Sequence, residues 1–236
     1  MSVGKEIRVL KVTFDTKLQP WEVSGFRGAM AAKVGLEHEW FHNHDNSIDP
    51  GPAYHYRYPL IQYKLHKGKP MLLCVEQGVE EAQHFFSKPD WTLNINGKVH
   101  NMRIHRLGVD QHKIQFLEEP ATYRIHNWLA LNQEYFPLYQ KARGIVARLQ
   151  LLEKALKATF MAFCHHIGWE PEEQVEFNIV QEYEHKYISF KKVKMLAFNL
   201  DFQANVFIPD FIGLGKGLSH GFGVIKHYRE YVQKQS

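Results

Sequence analysis

The chain has 236 residues, room for one large domain or two small ones and ample for a buried core. Its 44% apolar and 23% charged residues are ordinary for a globular protein, and no apolar run approaches the roughly 20 residues that span a bilayer. Two cysteines, Cys74 and Cys164, exclude a disulfide scaffold and a cysteine zinc centre, while a formal charge of +4 permits an anionic partner without demanding one.

The N-terminal stretch MSVGKEIRVLKVTFD lacks the blocks of a signal peptide, so a cytoplasmic protein is expected. Residues 6–14 read as a buried strand. Pro20 opens a helical stretch in which Val23, Phe26, Met30 and Val34 share one face. A polar loop follows over 36–54, then strands over 57–66 and 70–76. A short helix near 78–87 leads to 91–106, where Asn96-Gly97 signals a hairpin. This half has the β-α-β-β-α-β order of a ferredoxin-like unit.

A boundary near 118–121 divides the chain into 1–119 and 120–236. The second half restarts with a strand over 122–130. A long helix over 133–167 follows, with Ala142, Ile145, Leu149, Leu152, Leu156, Phe160 and Phe163 at helical spacing. Strands over 175–180, 187–194 and 196–208 come next, then a glycine-rich loop and a terminal strand, GVIKHYREY. The expected fold is α+β, two tandem ferredoxin-like (RRM-like) domains, the second degenerate because it lacks a clear second helix.

Trp40 to Asn46, WFHNHDN, admits three chemistries. An HNH nuclease spreads its named residues over a strand-strand-helix unit, so adjacent letters carry no such meaning. A His-x-His metal hydrolase needs further ligands, for which Asp45, Asp49, His38 and His55 are at hand, but the repeated βα pattern of the usual barrel is absent. Metal-free acid–base chemistry suits histidine at neutral pH, with His42 and His44 reaching two sides of one phosphate and Tyr54 or Tyr56 adding a hydroxyl. Fifteen histidines make chance pairs frequent, and on composition alone two surface histidines are the plainer reading.

Residues 211–223, FIGLGKGLSHGFG, combine glycines with Lys216, a pattern that brings backbone close to a ligand and sets a charge beside free amides. The stretch is no P-loop, since Asp210 stands where the first glycine belongs and Gly217 follows the lysine. Leu218 at the third glycine position rules out the dinucleotide fingerprint.

Gly213-Leu214-Gly215, five residues, then Gly221-Phe222-Gly223 resembles the C-terminal hallmark of the CRISPR-associated endoribonucleases that cut repeat RNA, within the RAMP superfamily. GFRGAM at 25–30, FHNHDN at 41–46 and RYPLIQYK at 57–64 resemble the block of the paired-histidine branch. The resemblance covers both ends of the chain; 90–205 match in general architecture. It implies a tandem ferredoxin-like fold and cleavage without metal or cofactor. A ribose 2′-hydroxyl attacks the adjacent phosphate, leaving a 2′,3′-cyclic phosphate and a 5′-hydroxyl. His42 and His44 supply base and acid in an order left open, and Tyr54 is taken over Tyr56, which adjoins the next strand. Repeat RNA is the implied partner, with other CRISPR effector subunits or a second copy of the chain as further ones. Some members bind RNA without cutting it, so a catalytically inactive RNA-binding subunit stands as the alternative.

Gly213, Gly215, Lys216, Gly221 and Gly223 are then candidate RNA contacts. Arg27 is a phosphate ligand or a helix-loop tether. In KVHNMRIHR, 98–106, strand alternation puts Arg103 and His105 on one face, either tracking RNA or merely solvated. Alternation likewise puts Lys192 and Lys194 on one face, with the same choice. His165-His166 ends the long helix, where cations complement the dipole. His220 is an RNA contact or a tolerated spacer position.

Overall fold

The computed structural model describes residues 4–42, 44–45, 53–54 and 58–228, the two short pairs by backbone alone; Asp49, His55 and Tyr56 lie outside the described residues. The first half runs β1 (Lys5–Phe14), α1 (Val23–Val34), β2 (His44–Asp45), β3 (Ala53–Tyr54), β4 (Ile61–His66), β5 (Lys69–Val75), α2 (Gln77–Glu81), α3 (Gln83–Phe86), β6 (Thr92–Ile95), β7 (Lys98–Asn101) and β8 (Ile104–Ile114). Four of these strands form an antiparallel sheet in the order β4-β5-β1-β8. Strand β1 feeds both faces of that sheet. Leu10, Val12 and Phe14 pack with Phe26, Met30 and Tyr63, while Ile7 and Val9 join the core of the second half. Phe14 meets Phe26 and Phe85 edge-on at 6.0 Å, contacts worth about 0.5–1.5 kcal/mol each beyond their burial.

The chain changes sheet at Gln115. β9 (Phe116–Trp128) continues through Glu118–Ala121 and is followed by α4 (Tyr135–Lys141), α5 (Ile145–His166), β10 (Phe177–Phe190), β11 (Val193–Val206) and β12 (Val224–His227). This sheet has the order β10-β11-β9-β12, the strand permutation of the first. In both, the second and third strands of the unit pair together, and the first strand lies between the third and the fourth. Among the described residues a 3-10 turn, Leu218–His220, stands where the first unit carries α2 and α3. Among the described residues the fold is α+β, built on two four-stranded antiparallel sheets, with the 3-10 turn in place of a second helix after the third strand of the second half, as expected.

Three expectations are corrected. The long helix is two helices: Ala142 is extended at ψ 124° and Gly144 is left-handed at φ 84°, which a glycine adopts without steric cost. The side chain of Asn132 accepts from the backbone N–H of Glu134 and Tyr135 at 3.0 and 2.7 Å, fixing where the first helix begins. Beyond the break, Leu152, Leu156, Phe160 and Phe163 are buried along one face of α5.

The three strands expected between 175 and 208 are two strands of 14 residues. Their turn is Lys191-Lys192, both left-handed at φ 49° and 65°, a conformation hairpins usually give to Asn-Gly. Lys192 therefore occupies the turn and shares no strand face with Lys194. Likewise β7 ends at Asn101 and β8 starts at Ile104, with buried Met102 tied to the carbonyl of Trp91 at 3.1 Å. The interruption breaks the alternation that joined Arg103 to His105.

Candidate functional site

Helix α1 ends at Gly35, and a 3-10 turn, Glu39–Phe41, delivers His42. His42 is 7% exposed, and its Nε2 lies 2.7 Å from the carbonyl of Leu36. A carbonyl only accepts, so Nε2 carries a proton, and in the neutral ring Nδ1 is the basic atom. The Arg27 guanidinium donates to the His42 carbonyl, and the Tyr63 hydroxyl donates to the Phe41 carbonyl at 3.0 Å. Two side chains thus clamp the backbone of the turn. Downstream, His44 is the register partner of Tyr54 in the β2–β3 ladder.

The glycine loop closes on itself and on both sheets. Leu214 donates to the Gly223 carbonyl at 2.9 Å, Gly213 bridges to Val224, and Lys216 bridges to Leu129 at the end of β9. Gly223 has φ 62°, and a Cβ there would lie 1.8 Å from the Leu214 carbonyl oxygen. A Cβ on Gly213 would meet Gln62 Oε1 at 2.9 Å and Lys64 Nζ at 3.1 Å. The Gly213 carbonyl accepts from the Tyr58 hydroxyl at 2.8 Å, which itself accepts from Gln62 Nε2 at 2.8 Å. These glycines bring protein against protein.

Lys64 is fully buried beneath this loop, and among the described residues its Nζ has no hydrogen-bond partner; the same is true of Gln62 Oε1 and of Trp128 Nε1. Burial alone pulls the Lys64 amine down to about 7. Neither residue of the Gln62–Lys64 pair was a sequence candidate. Alternation in RYPLIQYKLH sets Gln62, Lys64 and His66 on the polar face of β4, which an isolated strand would turn to water.

One face of α1 ties the histidine turn to the loop. Ser24 and Arg27, three residues apart, share that face. Ser24 Oγ lies 2.9 Å from His220 Nδ1, and Arg27 holds His42. The His220 ring packs edge-on against Phe190 at 5.2 Å. Burial first, then the charges of Arg27 and Lys191, pull it down to about 3, so this imidazole is neutral under ordinary conditions. The loop forms one wall of a groove of about 540 Å³ whose lining includes Trp21, His126, Lys186, His220, Phe222 and Lys226. Trp21 is 74% exposed. Burial, then Lys226 and Arg124, lower His126 as well. Exposed aromatic surface beside lysines suits a single-stranded polyanion with stacking bases.

The sequence candidates separate into groups. Arg27 and His42 meet, and Gly221 lines the groove with His220. Lys194 and Lys216 share a second hollow of about 440 Å³, bounded also by Phe136 and Lys191. Lys192 is in the hairpin turn, and Arg103 is at the start of β8, its carbonyl accepting from Asp15 at 2.7 Å. His166 accepts at Nε2 from the Tyr58 N–H at 2.9 Å, so Nδ1 donates to Ala162 at 2.7 Å. That ring is a neutral strut between α5 and the approach to β4, correcting the reading of a cationic helix cap. Ser24 and His126 were not legible as site residues; the i,i+3 spacing of Ser24 and Arg27 was the available signal. Among the described residues, no helix is long and apolar enough to cross a membrane.

Family models for the Cas6b N-terminal and C-terminal domains match residues 5–113 and 115–228. A crystal structure of Cas6b superposes with a TM-score of 0.81 at 23% identity, over 94% of this chain and 100% of the other. A second, of the CRISPR RNA processing endoribonuclease Cas6b, gives 0.68 at 19% identity over 94% and 100%. The uncharacterized protein MJ0978 of Methanocaldococcus jannaschii is 27% identical over 139 residues, 58% of this chain and 93% of its own.

Proposed function

The chain belongs to the Cas6b family, whose two domain models match residues 5–113 and 115–228, and from that premise we propose that it is a CRISPR repeat-RNA endoribonuclease. It cuts without metal: a ribose 2′-hydroxyl attacks the adjacent phosphate, and the products carry a 2′,3′-cyclic phosphate and a 5′-hydroxyl. His42 and His44 supply the proton acceptor and donor, and Tyr54 the additional hydroxyl. The observation that carries this reading is the single face of α1 that holds His42 through Arg27 and the glycine loop through Ser24, beside a groove with lysines and an exposed tryptophan.

Two further features support it. The Leu36 carbonyl engages Nε2 of His42 and so fixes the orientation of this imidazole at the end of the histidine turn. The β2–β3 register sets Tyr54 directly across from His44. Lys186 and Lys226 at the groove give the phosphates cations, a contact that positions the RNA without reading its sequence.

The test is end-labelled repeat RNA incubated with the protein in EDTA, with the product termini identified. Cleavage to a cyclic phosphate is expected, slowed about 10²–10⁴-fold by His42→Ala or His44→Ala. Wild-type rates in both variants would remove the histidines from the mechanism. Tight binding without scission by the unaltered protein would make it an RNA-binding subunit instead.

A further inference from the structure

Apart from the RNA site, the geometry points to a divalent transition-metal site of the zinc class formed by His38, Glu81 and His84. His38 precedes the 3-10 turn that leads into His42, while Glu81 closes α2 and His84 lies in α3. One ligand atom from each lies within 4.8 Å of the other two. In a tetrahedral zinc site with bonds of about 2.0–2.1 Å, ligand atoms sit roughly 3.4 Å apart, so side-chain rotation of about an ångström closes the set. One edge is nearly there: His84 Nε2 is 3.7 Å from Glu81 Oε2.

The local fold accounts for this convergence. Glu81 and His84 are three residues apart, and Ala82 between them keeps helical angles of −59° and −24°, so both project from one face. The Glu-x-x-His spacing is one that helices use to hold metals. His38 comes from the opposite side and stacks on His84, ring centroids 3.8 Å apart at 29°.

The three side chains are 25%, 27% and 35% exposed, open enough for an ion to reach and packed enough to be held. Imidazole with carboxylate is a donor set for zinc-class ions, whereas magnesium and calcium favour oxygen alone. The fourth position falls to water or to Glu37, whose Oε1 is 3.9 Å from His38 Nε2. A metal here would cross-link residue 38 to residues 81 and 84, closing a length of chain that contains the histidine turn, β4 and β5. Its work is to fix the approach to His42, and no part of it enters the cleavage step.

The experiment is calorimetric titration of EDTA-stripped, dialysed protein with zinc chloride, alongside the thermal midpoint with and without zinc. One zinc per chain is expected, with affinity lowered at least tenfold by His84→Ala and by Glu81→Gln. Zinc should raise the midpoint of the wild type and leave that of the variants in place. Both variants change partly exposed side chains, and unchanged midpoints without metal establish that they fold. The four-coordinate cobalt spectrum, read after cobalt replaces zinc, should disappear in the same two variants. Absence of stoichiometric binding overturns the site, as does binding that both variants retain. RNA cleavage in EDTA is measured separately, so failure of the metal site and failure of the ribonuclease reading are distinguishable.

Discussion

Replacing Lys64 with methionine should stabilise the protein, and the gain should vanish as pH rises. Lys64 is fully buried, and its Nζ has no hydrogen-bond partner among the described residues, so burial holds its amine near 7 against an ordinary 10.5. The difference, 10.5 − 7, is 3.5 pH units, and at 1.36 kcal/mol per unit it corresponds to a penalty of up to about 5 kcal/mol below pH 7. The folded-state value is lowered, so between about 7 and 10.5 the unfolded chain binds more protons than the folded one. Stability therefore rises with pH across that window, by up to about 1.4 kcal/mol per unit from this group. Lys64→Met keeps the apolar stem and removes the charge. Urea unfolding of both proteins at about pH 6, 7, 8, 9 and 10 isolates the effect, because other titrating groups cancel in the difference. The variant should be more stable by several kcal/mol at pH 6 and level with the wild type near pH 10. A difference that stays constant with pH, or a variant less stable at pH 6, would refute the assignment of Lys64 as a buried, unpaired amine.

Gly223→Ala should cost about 3 kcal/mol or more, measured as a lowered urea midpoint, because its Cβ would fall 1.8 Å from the Leu214 carbonyl at φ 62°. Asp201 is buried, which works to raise it, but hydrogen bonds from Arg124 at 2.6 and 2.8 Å and from Tyr183 at 2.6 Å outweigh burial and lower it. That stability is complete above the unfolded value near 4 and is lost as pH falls below it; Asp201→Asn should cost about 2–3 kcal/mol in urea unfolding at pH 7 and flatten the acid limb. The His220 imidazole should show no titration step between pH 5 and 8 when followed by proton NMR, and a midpoint near 6.5 would place it in water instead of against Phe190 and Ser24.

Local signals carried much of the architecture. The apolar face of α1, the Asn96-Gly97 turn and the apolar spacing along α5 are short-range patterns, and each produced its element. Turns built from unusual residues escaped. Lys191-Lys192 adopts left-handed angles because the long pairing of β10 with β11 over-determines them, and nothing in two lysines announces that. The break at Gly144 was present as a residue but masked by helical spacing on both sides of it.

For the candidate site the division follows the same physics. The sequence by itself singled out His42, His44 and the glycine loop as candidates for proton transfer and phosphate binding, from residue type and neighbourhood in the chain. It also determined the alternation of β4, which sets Tyr63 apart from Gln62 and Lys64. Only the tertiary structure decided that the second half would cover the polar face of that strand, seating Gly213 over Lys64 and His220 against Ser24. Alternation is a property of the backbone, whereas the choice of which face meets water belongs to the docking of units more than a hundred residues apart.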